Sequence, residues 1–273
     1  MSVSLRSPSY NMHLKSEQSK IERVAQIIVE SKSIVCFTGA GACTDSGVPD
    51  FRGIGMSYWT QYDPQDFEFQ NFIDSEKSRQ IYWKMEQEFY ELVQNVRPNA
   101  IHDACAELEM YGKLHAIITQ NVDRLHQRAG SSHEKMIEIH GNIYTVTCLK
   151  CFYQYSREYI YFKIKNGVRV PYCEFCGGIL KSDTIAFGQP MPQLQCSQSL
   201  MATYHSDLFI VIGSSLLVQP AAYLIVKAKE SRSKIILINL MSTPYDHLVD
   251  LAIYQNGESV MKGIMELVRK KLT

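Results

Sequence analysis

The chain has 273 residues, and its 28 basic residues (Lys and Arg) balance 28 acidic ones (Asp and Glu), so the formal net charge is zero. A chain of this length can bury a sizeable core, which excludes a disulfide-stapled miniprotein. The neutral balance gives no global attraction to nucleic acid or to an anionic membrane. Apolar runs stay well below the roughly 20 residues that cross a bilayer, so we expect a soluble protein.

The eight cysteines suit metal binding in a reducing compartment better than a disulfide framework. Four of them form two C-x-x-C pairs, whereas Cys36, Cys43, Cys105 and Cys196 are scattered among apolar or motif residues. We therefore expect a cytoplasmic location. Residues 1–18 lack the apolar segment of a secretory signal, so we expect a flexible leader, with a transit peptide as the weaker alternative.

Short apolar segments alternate with helical patterns along most of the chain. Apolar residues spaced three and four apart predict a first helix from Ser16, with Ser19 and Glu22 as a capping box near its start. Strands that alternate with helices predict an α/β fold with a doubly wound sheet. The predicted strands lie at 34–37, 115–118, 207–212 and 234–239, and the predicted helices at 81–96, 101–108, 220–231 and 258–271.

Two stretches interrupt this alternation. Residues 143–183 lack helical periodicity and contain all four C-x-x-C cysteines. We expect them to form a small module inserted between the two parts of a larger domain, 19–142 and 184–273. Residues 53–75 are aromatic and acidic and contain Pro64, which predicts a long loop of the kind that covers a site in compact enzymes.

The paired cysteines give the strongest short signal in the sequence. Two C-x-x-C pairs can place four thiolates around a tetrahedral Zn²⁺, and an ion with four sulfur ligands has a structural role. The alternative, two redox pairs, lacks the helix N-terminus that would activate a thiolate. The expected zinc ligands are Cys148, Cys151, Cys173 and Cys176.

A glycine turn after the first predicted strand points to phosphate binding. Gly39-Ala40-Gly41 starts like a dinucleotide-binding motif, but Thr44 replaces the third glycine. The turn alone is therefore only weak evidence for phosphate binding, and an ordinary tight turn is the alternative. The small polar residues that follow could bind a phosphate through their backbone amides. Phe51 could place its ring face against the cofactor, and Arg52 could act as a charged hydrogen-bond donor. We therefore favour a cofactor-binding loop.

Polar or small residues follow the other predicted strands too. In open α/β sheets ligands bind at the carboxyl ends of the strands, although a capped helix start or an ordinary loop could use the same residues. These residues are Gln120, Asn121, Asp123, Gly213, Ser214, Ser215 and Asn239.

One of the eight histidines stands out by its position. His140 follows a short apolar alternation, and Gly141 leaves it sterically open. A lone histidine is more often a structural hydrogen-bonding residue, but its near-neutral pKa suits a general base for a sugar hydroxyl.

Put in order, these segments resemble the sirtuin family of NAD-dependent protein-lysine deacylases from about residue 20 to the C-terminus. The resemblance implies a Rossmann-like parallel-sheet domain with a small inserted zinc-ribbon domain, and NAD and an acyl-lysine peptide meeting in the cleft between them. It is carried by Gly39-Ala40-Gly41, 46–52, 119–123, Leu125-His126, Ala129-Gly130, His140-Gly141, the four paired cysteines, Phe187-Gly188, 213–216, Val218, Pro220 and Asn239.

The resemblance also implies a mechanism. The acyl oxygen attacks the anomeric carbon of the nicotinamide ribose and expels nicotinamide; His140, with Asn121 as the second catalytic residue, then acts as base on the ribose hydroxyls, which frees the lysine. The peptide lies as an added strand between the domains. The cofactor residues implied are Gly39, Ala40, Gly41, Thr44, Asp45, Phe51, Arg52, Gln120, Asn121, Val122, Asp123, Gly213, Ser214, Ser215, Asn239 and Asn256, and the substrate residues are Tyr82, Phe187, Gly188 and Val218.

Three positions depart from the family pattern. Cys43 stands where the family commonly has Ser, and Gln189 where it has Glu. Sirtuins that prefer succinyl or malonyl lysine carry Tyr and Arg three residues apart, whereas here Met85 follows Tyr82 at that spacing. We therefore expect a neutral acyl group, acetyl or longer.

Other functions stay open at this point. Protein ADP-ribosyl transfer and NAD hydrolysis also begin with the loss of nicotinamide. A non-catalytic NAD-sensing protein would be expected to have lost His140. An NAD dehydrogenase fits poorly, because the glycine pattern stops at Thr44 and no acidic residue is placed to take the adenosine ribose.

Overall fold

The computed structural model describes residues 8–50 and 62–272, with the backbone alone for residues 8–16. Its main sheet has six strands, all parallel: β1 (Ile34–Thr38), β2 (Leu114–Thr119), β3 (Met136–Glu138), β7 (Leu208–Ile212), β8 (Lys234–Asn239) and β9 (Leu251–Tyr254). The strand order is β3-β2-β1-β7-β8-β9. The chain thus moves outward from β1 in one direction and from β7 in the other, which confirms the predicted doubly wound, Rossmann-like fold.

Helices cover both faces of the main sheet, because its central strands are apolar on both sides. In β1, Ile34 and Cys36 belong to one core, whereas Val35 and Phe37 belong to the other. No helix in the described segments is both long and apolar enough to span a membrane. The helices are α1 (Pro8–Glu30), α4 (Ala100–Met110) and α9 (Gly257–Leu272) on the first face, and α7 (Gln193–Tyr204) and α8 (Leu224–Glu230) on the second.

A smaller unit stands beside the carboxyl edge of this sheet. Its antiparallel strands have the order β5-β4-β6 and share one core with the helices that precede them in the chain. In that core Tyr82 and Trp83 pack with Val146, Tyr155 and Leu180. The elements are β4 (Thr145–Cys148), β5 (Gln154–Ser156), β6 (Leu180–Ser182), α6 (Arg157–Lys165), α2 (Phe69–Asp74) and α3 (Glu76–Asn95), and a short α5 (Leu125–Arg128) follows β2.

The first helix differs from the prediction. It begins at Pro8, so residues 8–18 of the expected leader are helical, and the predicted capping box is wrong because Ser19 lies inside the helix. Proline is favoured in the first turn of a helix, and no helix breaker follows it before Glu30. Residues 1–7 of the expected leader lie outside the described residues.

Elements with weak hydrophobic patterns were not predicted. α7 directs Ser199, Ala202 and Thr203 inward, so its buried face is small and polar and gives no apolar periodicity. α6 lies in the stretch that lacks helical periodicity, and β3 and β9 have only three and four residues. In the predicted loop 53–75, residues 53–61 lie outside the described residues, and the rest contains a 3-10 turn (Pro64–Phe67) and α2.

A buried ion pair ties the small unit together. The guanidinium of Arg157 lies 3.4 Å from Oε2 of Glu86 and donates to the backbone oxygen of the same residue at 2.6 Å. It also lies over the rings of Trp83 and Tyr90, 5.3 and 5.2 Å from their centroids. Arg157 is only 1% exposed, so removing its partner or its charge leaves an uncompensated group in the core.

Replacing Arg157 with Leu should lower the free energy of unfolding by about 3 kcal/mol, because the buried Glu86 carboxylate then loses the guanidinium that lies 3.4 Å from it. Urea denaturation followed by circular dichroism measures the loss. As the control, Lys229→Leu removes an exposed pair with Asp250 and should cost at most about 1 kcal/mol. Equal losses in both variants would contradict the role given to Arg157.

Candidate active site and metal centre

A cavity of about 520 Å³ lies where the carboxyl edge of the main sheet meets the small unit. β1 and β7 are neighbours there, and their loops leave in opposite directions, which is where open α/β sheets bind ligands. Phe51 and Arg52 lie outside the described residues. Every other predicted cofactor, catalytic and substrate residue lines this cavity: Gly39, Ala40, Gly41, Thr44, Asp45, Tyr82, Gln120, Asn121, Val122, Asp123, His140, Phe187, Gly188, Gly213, Ser214, Ser215, Val218, Asn239 and Asn256.

The glycine turn after β1 is held by the loop after β7. Gly39 N donates to Ile212 O at 3.1 Å, and Gly41 N donates to Gly213 O at 2.9 Å. Gly213 has φ +62°, and a Cβ at this position would lie 2.3 Å from Ala42 N. Only glycine fits there, so the two loops form one continuous backbone surface at the floor of the cavity.

Side chains cross this floor and connect its loops. Gln120 Nε2 donates to Ser214 Oγ at 2.8 Å, so the loops after β2 and β7 are joined. Asn256 Nδ2 lies 2.9 Å from both carboxylate oxygens of Asp45. Asn239 Nδ2 donates to Met241 O at 2.8 Å. The first two contacts join different loops of the floor, whereas the bond of Asn239 stays within its own loop. The contacts of these residues with a cofactor stay predictions.

His140 has a defined tautomer. Its Nδ1 lies 3.2 Å from Gln120 O, and because a carbonyl oxygen only accepts, Nδ1 carries the proton and Nε2 keeps its lone pair. Burial lowers the pKa of His140 from its usual value, so the ring is neutral at pH 7. Ile185 N donates to His140 O at 2.9 Å, which attaches this histidine to the loop that follows β6.

Gly141 explains why His140 can lie so close to that loop. It has φ +73°, and a Cβ there would lie 1.8 Å from Asp183 O. A side chain would therefore push the loop away from His140.

Asn121 is held by three hydrogen bonds. Its backbone N–H donates to Thr119 Oγ1 at 3.1 Å, and Nδ2 donates to Gly39 O and to Cys43 Sγ, both at 3.0 Å. Asp123 is buried; its Oδ2 accepts from the Cys43 thiol, and its Oδ1 accepts from the backbone of Leu125 at the start of α5. Asp123 thus lines the cavity and also accepts a hydrogen bond from a backbone N–H in the first turn of α5. Burial raises the pKa of Asp123.

One face of α3 forms the wall of the cavity beside the small unit. Tyr82, Met85, Glu86 and Phe89 line it at helical spacing, and of these the sequence analysis selected only Tyr82 as a site residue. The 3.6-residue periodicity from Tyr82 was the signal that could have found the others. Among the described residues, the cavity wall contains acidic side chains but no Lys or Arg.

Lys181 lies behind this wall. Its ammonium is 5.7 Å from the ring centroid of Tyr82 and donates to the carbonyl oxygens of Ser182 and Thr184. Burial lowers the pKa of Lys181 to about 8. Because its donors point to carbonyl groups, this cation is not presented to the cavity.

The four paired cysteines come together in the small unit. Their sulfur atoms all lie within 4.8 Å of one another, with Cys148 and Cys176 at 3.5 Å and Cys151 and Cys173 at 3.6 Å. A tetrahedral ZnS₄ site with Zn–S bonds of about 2.3 Å requires S–S distances of about 3.8 Å. The backbone N–H groups of Lys150 and Cys151 also point at Cys148 Sγ, as expected around a thiolate ligand. The donor set therefore fits Zn²⁺ as a closed, structural site.

Replacing Cys173 with Ser should abolish zinc retention and unfold or aggregate the protein, since the strands of the small unit then lose their cross-link. Elemental analysis should give about one zinc per chain for the unchanged protein and for Cys196→Ser, which removes a cysteine outside this cluster. A folded, fully active protein with far less than one zinc per chain would contradict the assignment.

The cavity, the glycine turn and the cysteine cluster can be compared with known proteins. The Sir2 family model matches residues 39–220. The NAD-dependent protein deacetylase of Thermodesulfovibrio yellowstonii is 36% identical over 256 residues, covering 94% of this chain and 98% of the relative.

Solved structures agree with the sequence match. A Sir2 enzyme superposes with a TM-score of 0.84 at 35% identity, covering 93% of this chain and 99% of that one. A Sir2 protein with a p53 peptide and NAD+ superposes with a TM-score of 0.77 at 32% identity, covering 93% and 99%. The chain therefore belongs to the Sir2 family.

Proposed function

We propose that the chain is an NAD-dependent protein-lysine deacylase that moves a neutral acyl group, such as acetyl, from lysine to ADP-ribose. The observation that carries this proposal is His140: its Nδ1 is fixed on Gln120 O, so Nε2 keeps the lone pair that a base in the cavity needs. The family and the deacetylase relatives support the same activity.

The cavity residues fit NAD and divide its chemistry. NAD, when bound, supplies an anomeric carbon whose nicotinamide leaves as the acyl oxygen attacks. The glycine turn and Ser214 would hold the pyrophosphate and adenosine half, with Asn239 at the end of β8, since all of them line the cavity. Asn121 orients the nicotinamide ribose, and His140 Nε2 takes a proton from a ribose hydroxyl. The carbonyl oxygen of Gln120 then stabilises the positive charge on the ring through Nδ1–H.

The acyl-lysine peptide enters between the two units. Val218 lies on the main-domain side of the cavity, and Phe187 and Gly188 lie on the loop after β6. Tyr82, Met85 and Phe89 surround the acyl group with mostly apolar surface. We propose a protein or peptide bearing acyl-lysine as the partner, without nucleic acid. We also propose a reducing cytoplasmic location, supported by the cysteines of the described segments, none of which forms a disulfide.

The central experiment measures nicotinamide release and peptide mass together. Release should depend on an acetyl-lysine peptide, the peptide should lose its acetyl group, and His140→Ala should lower deacetylation by about 10²- to 10⁴-fold, as expected for a general base. Nicotinamide release without peptide, or with the peptide still acetylated, would instead indicate ADP-ribosyl transfer or NAD hydrolysis. His133→Ala is the control, since that residue does not line the cavity.

The pH profile gives a second readout of His140. Because burial lowers its pKa, the basic form persists to more acidic pH, and kcat/KM should fall only when the pH drops below the usual histidine value of about 6.5. Initial rates between pH 4.5 and 8 measure the midpoint. An acid limb centred above 6.5 would contradict a neutral, buried His140 as the base.

Met85→Arg should raise kcat/KM for a succinyl-lysine peptide by about tenfold or more, because a guanidinium would pair with the succinyl carboxylate. In the wild-type protein, the described residues of the cavity wall include no Lys or Arg that could pair with the succinyl carboxylate, and Glu86 lies beside Met85. Met85→Leu is the matched control and should keep the preference for acetyl over succinyl. An equal rise in both variants, or none in Met85→Arg, would contradict the placement of the acyl group against α3.

A further inference from the structure

Cys43 occupies the centre of a buried polar cluster next to the cavity. It is 1% exposed and lines the cavity. Its sulfur lies 3.0 Å from Asn121 Nδ2, 3.0 Å from Asp123 Oδ2 and 3.5 Å from His102 Nε2. The mechanism described so far uses Asn121 but gives this cysteine no part.

The positions of the protons in the cluster follow from its edges. His102 Nδ1 accepts from Asn99 N–H at 3.1 Å, so a neutral His102 carries its proton on Nε2 and donates it to Cys43 Sγ. Burial lowers the pKa of His102 to about 4, which keeps the ring neutral.

The other partners determine the state of the sulfur. Asp123 Oδ2 can only accept, so Cys43 is a thiol that donates to it. Burial, followed by the charge of Asp123, raises the pKa of Cys43 well above its usual value, in agreement with a protonated thiol. The sulfur therefore accepts from His102 and from Asn121 while its proton is directed to Asp123.

This arrangement fixes the orientation of the Asn121 amide. Both hydrogens on Nδ2 are used, one by Gly39 O and the other by Cys43 Sγ. Rotating the amide by 180° would place Oδ1 against the carbonyl oxygen of Gly39, where two acceptors repel. Oδ1 is thus held away from Gly39 and Cys43, as an acceptor for a ligand hydroxyl in the cavity.

We propose that Cys43 is a positioning residue, which holds the Asn121 amide so that Oδ1 accepts from the nicotinamide ribose. The proposal rests on the proposed function for the identity of the ligand. A hydroxyl at residue 43 can make the same three contacts, so Cys43→Ser should keep the orientation, whereas Cys43→Ala and Cys43→Val remove it.

A double-mutant cycle tests this role on kcat for nicotinamide release in the presence of acetyl-lysine peptide. Cys43→Ala should lower kcat by about tenfold or more, whereas KM for NAD should change far less. Cys43→Ser should keep a kcat close to that of the wild-type protein. In an Asn121→Ala background, Cys43→Ala should have almost no further effect. Cys196→Ser controls for the loss of a thiol outside the cavity. Losses that add in full would overturn the proposal.

An NMR readout on the unliganded protein is independent of activity. The side-chain NH₂ signals of Asn121, assigned through Asn121→Asp, should be protected from exchange in the unchanged protein and in Cys43→Ser, and should lose protection in Cys43→Ala. Cys43→Val, of similar volume, provides the folded variant if Cys43→Ala is unstable. If the unchanged protein fails to deacetylate, the proposed function fails while this readout still decides the positioning role. Unchanged Asn121 signals in a folded Cys43→Val would overturn the proposal.

Discussion

The close approach of two backbones at the centre of the sheet is the constraint on which the site depends. The turn after β1 and the loop after β7 touch through Gly41 and Gly213, and neither backbone could approach so closely if Gly213 had a side chain. This contact exists because β1 and β7 are adjacent parallel strands whose carboxyl ends lie at the same edge. The loop after β2 lies on one side of this contact and the loop after β8 on the other, and together these loops form the cavity floor.

The small unit supplies the opposite wall. It is attached through α3, whose Tyr82 and Met85 belong both to the core of the small unit and to the cavity wall. It is also attached through the backbone pairing of Ile185 with His140. The structural cysteine cluster thus lies in the same unit as the loop that contacts His140. A change in the packing of that unit would move together the α3 wall of the cavity and His140, the proposed base.

The two central polar side chains are both oriented by hydrogen bonds to other groups of the protein. His140 has one ring nitrogen on Gln120 O, and Asn121 has both amide hydrogens on Gly39 O and Cys43 Sγ. In His140 the bound atom is Nδ1, which leaves the lone pair of Nε2 to accept a proton. In Asn121 the bound atom is Nδ2, which leaves Oδ1 to accept a hydrogen bond. Such preorganisation costs nothing at the moment of reaction.

The sequence by itself determined four of the six parallel strands, the zinc ligands and the loops that meet at the cavity. These depend on local patterns: apolar runs, C-x-x-C spacing and small residues after strands. It could not determine α7, whose buried face is small and polar, or the start of α1. Only the tertiary structure decided that Cys43 contacts Asn121, His102 and Asp123. Contacts between residues so far apart in the chain depend on strand order and on the packing of the two units, which no local pattern encodes.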